Sequence, residues 1–157
     1  MIGLQFVVIT LITERRRRPT ADALSAFGTP TVVHFAGALL VSAIMSAPWP
    51  SLVPLSVAIG MGGLGGLAYG AIVIRRARRQ TFYKPVWQDW LWYALLPCCV
   101  YAALGVAAAL LRTNIQLALF VIAGAALSLL VFGLHNAWDT VTHLVISDSD
   151  ADETKTA

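Results

Sequence analysis

One stretch of this 157-residue chain gathers most of the side chains that could do chemistry: His135-Asn136-Ala137-Trp138-Asp139-Thr140-Val141-Thr142-His143. His135 and Asp139 stand four residues apart, as do Asp139 and His143, and on a helix that spacing lets two side chains share one metal ion. All three do not reach one ion, because His135 and His143 lie about 12 Å apart along a helix axis. A mononuclear site therefore needs one of the pairs together with His34 or Asp89 from another helix. A haem could instead be held between His34 and His135 or His143 on facing helices. Haem or a divalent metal is the cofactor that these residues could take, and the motif HxxxDxxxH is less specific than HExxH.

The competing reading is structural. At 100° per residue His135, Asn136, Asp139, Thr140, Thr142 and His143 share an arc of about 160°, with Ala137, Trp138, Val141 and Leu144 opposite. Such a face can bond neighbouring helices, at about 0.6–2 kcal/mol per contact in a membrane interior. It points into a bundle or a wet crevice, with Trp138 toward lipid. Alternatively the segment emerges as an interfacial amphipathic extension, since residues 115–134 already span about 30 Å. A protonatable Asp139 would also suit a small oligomeric channel or proton-coupled carrier. His34, in Thr29-Pro30-Thr31-Val32-Val33-His34-Phe35, has no chemical partner nearby in sequence, and Thr29-Pro30 reads as a helix start.

The elements that must position these groups follow from composition. Apolar residues make up 58% of the chain, charged residues only 12%, and mean hydropathy is +0.74, against about 25% charged in a soluble domain. So small a soluble globule needs more polar surface than this, and a disordered chain is excluded for the same reason. Residues 27–48, 52–74, 86–111 and 115–134 read as four apolar spans, the last with a helical pattern persisting to about residue 146. Residues 1–13 are apolar but reach only about 20 Å, short of the roughly 30 Å hydrocarbon core. They read as a half-span, or as the end of a helix that begins upstream; with Glu14 and four arginines behind them they are not a signal peptide. The expectation is an all-α polytopic transmembrane bundle: one domain over residues 1–146, then an acidic disordered tail over 147–157.

Orientation follows from the basic residues. Residues 15–18 are all arginine, and Arg75, Arg76, Arg78, Arg79 and Lys84 cluster after the second span. If the first cluster is cytoplasmic, every other basic residue except Arg112 falls on that side too, Lys155 of the tail included. Trp87, Trp90, Trp92 and Tyr93 form an aromatic belt at the start of the third span, and Pro97 predicts a kink within it. Because each basic cluster abuts an apolar run, nucleic acid is not the expected partner. The partners are the lipid bilayer and either a second copy or a larger membrane complex. In the second span Gly62, Gly66 and Gly70 follow the small-xxx-small spacing that lets helices approach closely in lipid. Cys98 and Cys99 are adjacent, with no other cysteine to pair with, and read as small buried hydrophobes.

No hydrolase elbow, P-loop or Rossmann glycine pattern occurs. At Gly3-Leu4-Gln5-Phe6-Val7-Val8, at Phe27-Gly28-Thr29-Pro30-Thr31-Val32-Val33-His34-Phe35 and at His135-Asn136-Ala137-Trp138-Asp139-Thr140, the chain resembles a loose group of small, uncharacterised bacterial polytopic membrane proteins of four or five helices. The resemblance implies a membrane bundle whose first helix ends at the Gly-Leu-Gln-Phe segment. It carries no activity. The expected role is non-enzymatic, as an accessory or assembly subunit in the inner membrane.

Overall fold

The computed structural model describes residues 21–79 and 91–156, with side chains assigned over most of 31–75 and 91–139. The described residues are helical, with no strand among them: α1 (Ala21–Ser46), α2 (Leu52–Arg79), a π-helical turn (Leu91–Leu95), α3 (Leu96–Leu110) and α4 (Ile115–Thr156). Residues 1–20 and 80–90, which hold the short amino-terminal segment, the first arginine cluster, Lys84, Asp89, Trp87 and Trp90, lie outside the description.

Four boundaries differ from the sequence reading. α1 begins at Ala21 and passes through Pro30, rather than starting there. The segment Ala21-Asp22-Ala23-Leu24-Ser25-Ala26 is rich in strong helix formers, and proline is tolerated within membrane-type helices. α2 starts at Leu52 with Pro54 in its first turn and runs on to Arg79, so the arginines expected in a loop stand on helix. Pro97 falls where the π-helical turn gives way to α3; a π turn absorbs the carbonyl that a proline leaves without its usual donor. α4 continues to Thr156, through the tail expected to be disordered. No glycine or proline follows Gly133, so nothing in the sequence stops the helix.

Contacts divide the chain into two compact units, one uniting the residues up to Val33 with those from Gly133 on, the other spanning His34–Phe132. The second holds the core, and its buried residues recur at alternating steps of three and four. On α4 they are Ala118, Ile122, Ala125 and Leu129, on α3 Tyr101, Leu104, Ala107 and Ala108 with Leu111 just past its end, and on α1 Ala38 and Val41. The seam is narrow, as for helices that meet along one stripe.

Short connections hold these helices. After α1, the Trp49 indole N–H donates to the Ile44 carbonyl at 2.6 Å, satisfying one of the orphan acceptors at the helix end. Between α3 and α4 the turn Arg112-Thr113-Asn114 ends in an N-cap: the Leu117 amide donates to Asn114 Oδ1 at 3.1 Å.

Two helices, Leu52–Arg75 and Ile115–Asp139, are long and apolar enough to cross a membrane, and only 17% and 33% of an 18-residue apolar window in each is buried. Both carry large apolar side chains on the outward face as well as on the buried one. On α4 the seam alternates Ala118 (0% exposed) and Ala125 (5%) with Ile122 and Leu129, while Phe120 (71%) and Leu127 (63%) face outward. A helix apolar all round belongs in a large core or in lipid.

Candidate functional site

The polar centre of the unit His34–Phe132 is a histidine. His34 stands on α1 one turn before Ala38, on the stripe that faces the seam, and is 1% exposed. Its Nδ1 lies 3.4 Å from the Tyr101 hydroxyl of α3, at the long edge of hydrogen bonding. Its Nε2 is buried and has no hydrogen-bond partner among the described residues. Aromatic rings enclose it. Tyr101 lies with ring centroids 6.2 Å away at 35°, and Phe132 of α4 presents its edge at 6.5 Å and 74°. Trp92, in the π-helical turn, packs edge-on against Phe132 in turn, at 6.1 Å and 83°. Such edge-to-face geometry is the favoured one for aromatic pairs.

Tyr101 also anchors the contact between α2 and α3. The two helices run antiparallel: Ser56 Oγ donates to the Ala108 carbonyl at one end, and Gly70 meets Cys98 at the other. A Cβ added at Gly66 would overlap the Tyr101 ring itself. At Gly63 it would come within 2.8 Å of the Tyr101 carbonyl oxygen and 3.0 Å of the Gly105 amide nitrogen, and at Gly70 within 2.6 Å of Cys98 Sγ. Gly37 of α1 is also close to the tyrosine, its added Cβ 3.1 Å from the hydroxyl. Glycine is required at Gly63 and Gly66 because of this close approach.

Within the chain, the α2–α3 contact uses Gly66 and Gly70 of the small-xxx-small series but not Gly62, where a Cβ would meet nothing within 4 Å. The contact register is Ile59, Gly63, Gly66, Gly70, alternating four and three, whereas strict steps of four from Gly66 drift off the face. The sequence reading missed Gly63 and Tyr101. A signal for the tyrosine was present: a helix face stripped to glycine must meet a bulky partner, and Tyr101 is the largest side chain in Leu96–Leu110. Cys98 is half-buried and Cys99 exposed, so only Cys98 packs as a hydrophobe of the seam.

The polar face of α4 does not turn inward as a block. Asn136 is fully buried, His135 half-buried, and Asp139 exposed, while Trp138 is 68% exposed on the outward side. The side chains of Thr140, Thr142 and His143 lie outside the description, as does Asp89. No three His, Cys, Asp or Glu groups among the described residues could together hold a metal ion. His34 belongs to one compact unit and His135, Asp139 and His143 to the other.

Chemically, the His34 cluster offers one imidazole nitrogen engaged by a phenol and one in apolar surroundings with hydrogen-bonding or ligating capacity to spare. The α2–α3 seam offers no room for a ligand, because not even a methyl group fits at its centre. No protein-family model, no curated protein and no solved structure matches the chain.

Proposed function

We propose that the chain is a multi-pass inner-membrane bundle of four spans, with the short apolar segment before the first, and that it works by assembly rather than by catalysis. In this reading it is an accessory subunit that binds a second copy or a larger membrane complex. Residues 15–18, residues 75–84 and the carboxy-terminal tail face the cytoplasm. The observation that carries the reading is the apolar exterior: Phe120, Leu127, Met61 and Leu64 face outward, while glycines of α2 let it approach α3 closely. In water those exposed side chains would each cost about 1.5–3 kcal/mol relative to burial; in lipid they cost nothing, and small residues at the contacts are what membrane helices use.

Carbonate extraction of membranes, followed by labelling of single cysteines placed at Ser51, Thr113 and Thr154 in a cysteine-free background, tests both parts. The reading expects the chain in the carbonate pellet, with Ser51 and Thr113 labelled from outside and Thr154 only after permeabilisation. Recovery in the soluble fraction overturns it.

A second reading is favoured by the buried Nε2 of His34: a haem- or metal-binding membrane subunit, with His34 supplying a ligand. Haem would bring electron-transfer chemistry, and His34 would supply a ligating nitrogen in an apolar surround. The test is an absorption spectrum and metal analysis of membrane-extracted protein, native and His34→Ala. Colourless, metal-free protein dismisses this reading.

A further inference from the structure

We propose that the arginine-bearing end of α2 is a binding site for the phosphate groups of anionic phospholipids; the inference rests on the membrane reading above. The sequence reading took these arginines only as topology signals in a loop. They stand instead on the last turns of a helix that runs unbroken out of its apolar segment, from Leu52–Arg75 to Arg79. The positions 75, 76, 78 and 79 occupy an arc of about 160° at 100° per residue, with Ala77 opposite. They cover about 6 Å of axis, the depth of a single headgroup layer. Arg75 is exposed. α2 contains no Asp or Glu anywhere along its length, so no carboxylate of the helix neutralises the cluster.

Residue type adds a second argument. Orientation by basic residues is served equally by lysine and arginine. All four clustered positions of α2 are nevertheless arginine, and the chain has only two lysines, Lys84 and Lys155. A guanidinium grips phosphate through two parallel N–H donors, whereas an ammonium acts as a point charge. Phosphatidylcholine carries the same phosphate but neutralises it with its own choline cation, so the arginines at the end of α2 favour phosphatidylglycerol or cardiolipin over it.

The experiment uses the full chain, purified in detergent and mixed with equimolar phosphatidylglycerol and phosphatidylcholine, with retained lipid read by native mass spectrometry. The expected preference for phosphatidylglycerol is about fivefold or more, one surface arginine's worth. Arg78→Gln with Arg79→Gln should reduce it several-fold. Replacing all four arginines by lysine keeps the charge and should also reduce it, though by less. No preference in the native chain, or an unchanged preference in the glutamine variant, overturns the site. Equal retention by the lysine variant overturns a phosphate-specific site in favour of diffuse charge. A chain that never enters membranes fails the parent reading as well, whereas a membrane-bound chain without headgroup preference fails this inference alone.

Discussion

The α2–α3 seam and the His34 cluster share one residue, Tyr101, and are built on opposite principles. The seam brings two backbones together by removing side chains, with a hydrogen bond from Ser56 to the Ala108 carbonyl across it. Its geometry is over-determined: Gly63, Gly66 and Gly70 each face an atom that a methyl group would displace. The His34 cluster is made of large rings, and the polar contact between His34 and Tyr101 is long. It leaves a buried nitrogen without a partner among the described residues, a state that costs about 1–3 kcal/mol. The seam thus has a structural purpose and no spare chemistry, while the cluster has spare chemistry that its packing does not require.

The largest effect should come from breaking the seam. Gly66→Ala places a methyl group inside the Tyr101 ring, near its root, where the ring cannot swing aside without a rotamer change. Overpacking of this kind costs about 3 kcal/mol, so thermal unfolding in detergent should show a strong loss of stability. Adding Tyr101→Ala should relieve much of that clash. The same rescue should fail for Gly63→Ala, because there the obstacles are the Tyr101 carbonyl and the Gly105 amide, which every residue type retains. Equal rescue of both variants would refute the helix register described here.

The cluster should respond differently. Tyr101→Phe removes the hydroxyl facing His34 and leaves both imidazole nitrogens without protein partners, at a cost of about 1–2 kcal/mol. Combining it with His34→Phe removes the polar pair altogether and should bring stability back to within about 1 kcal/mol of the native chain, since apolar replacement of both partners is nearly neutral. A double variant that is stable yet no longer assembles with its partner, or no longer carries a bound group, would show that His34 is kept for function. A double variant that falls further than the single one would show that the histidine is structural.

Ser56→Ala is a smaller probe of the seam. It deletes one hydroxyl donor to the Ala108 carbonyl, and such bonds between membrane helices are worth about 0.6 kcal/mol. The same assay should detect a slight loss, well below that of Gly66→Ala. A loss as large would mean that hydrogen bonding, not close packing, holds α2 against α3.

Helix type was legible in the sequence because apolar runs uninterrupted by charge leave little else to form. The Asn114 turn was legible from its polar residues, and the outward position of Trp138 from helical periodicity. Helix ends were less so. Pro30 and the arginines after Ile74 read as boundaries because proline and charge usually mark them, yet alanine-rich sequence before Pro30 and helix-forming arginines after Ile74 let the backbone continue. The candidate site was legible only as an inventory. His34 stood out as an ionisable group in an apolar run, but its nearest polar neighbour, Tyr101, lies sixty-seven positions away, and no local spacing encodes that meeting. The register of the glycine seam within the chain was hidden for a related reason. Steps of four match the helix only approximately, so counting back from Gly66 selects Gly62, while the contact continues through Gly63.

Gly62 supplies the smallest and most discriminating test. Its Cβ direction is open, so Gly62→Ala leaves every contact within the chain intact and should change monomer stability by no more than about 0.5 kcal/mol, in the stabilising direction that helix propensity favours. The same open direction makes Gly62, with Gly65 beside it, available to a neighbouring helix from outside the chain. Chemical cross-linking in membranes separates the two situations. If an external helix lies against this face, the alanine weakens cross-linking while thermal stability of the isolated chain stays level. If only lipid lies there, neither measurement moves. A fall in the stability of the isolated chain would instead return Gly62 to the α2–α3 contact and displace Gly63 from it.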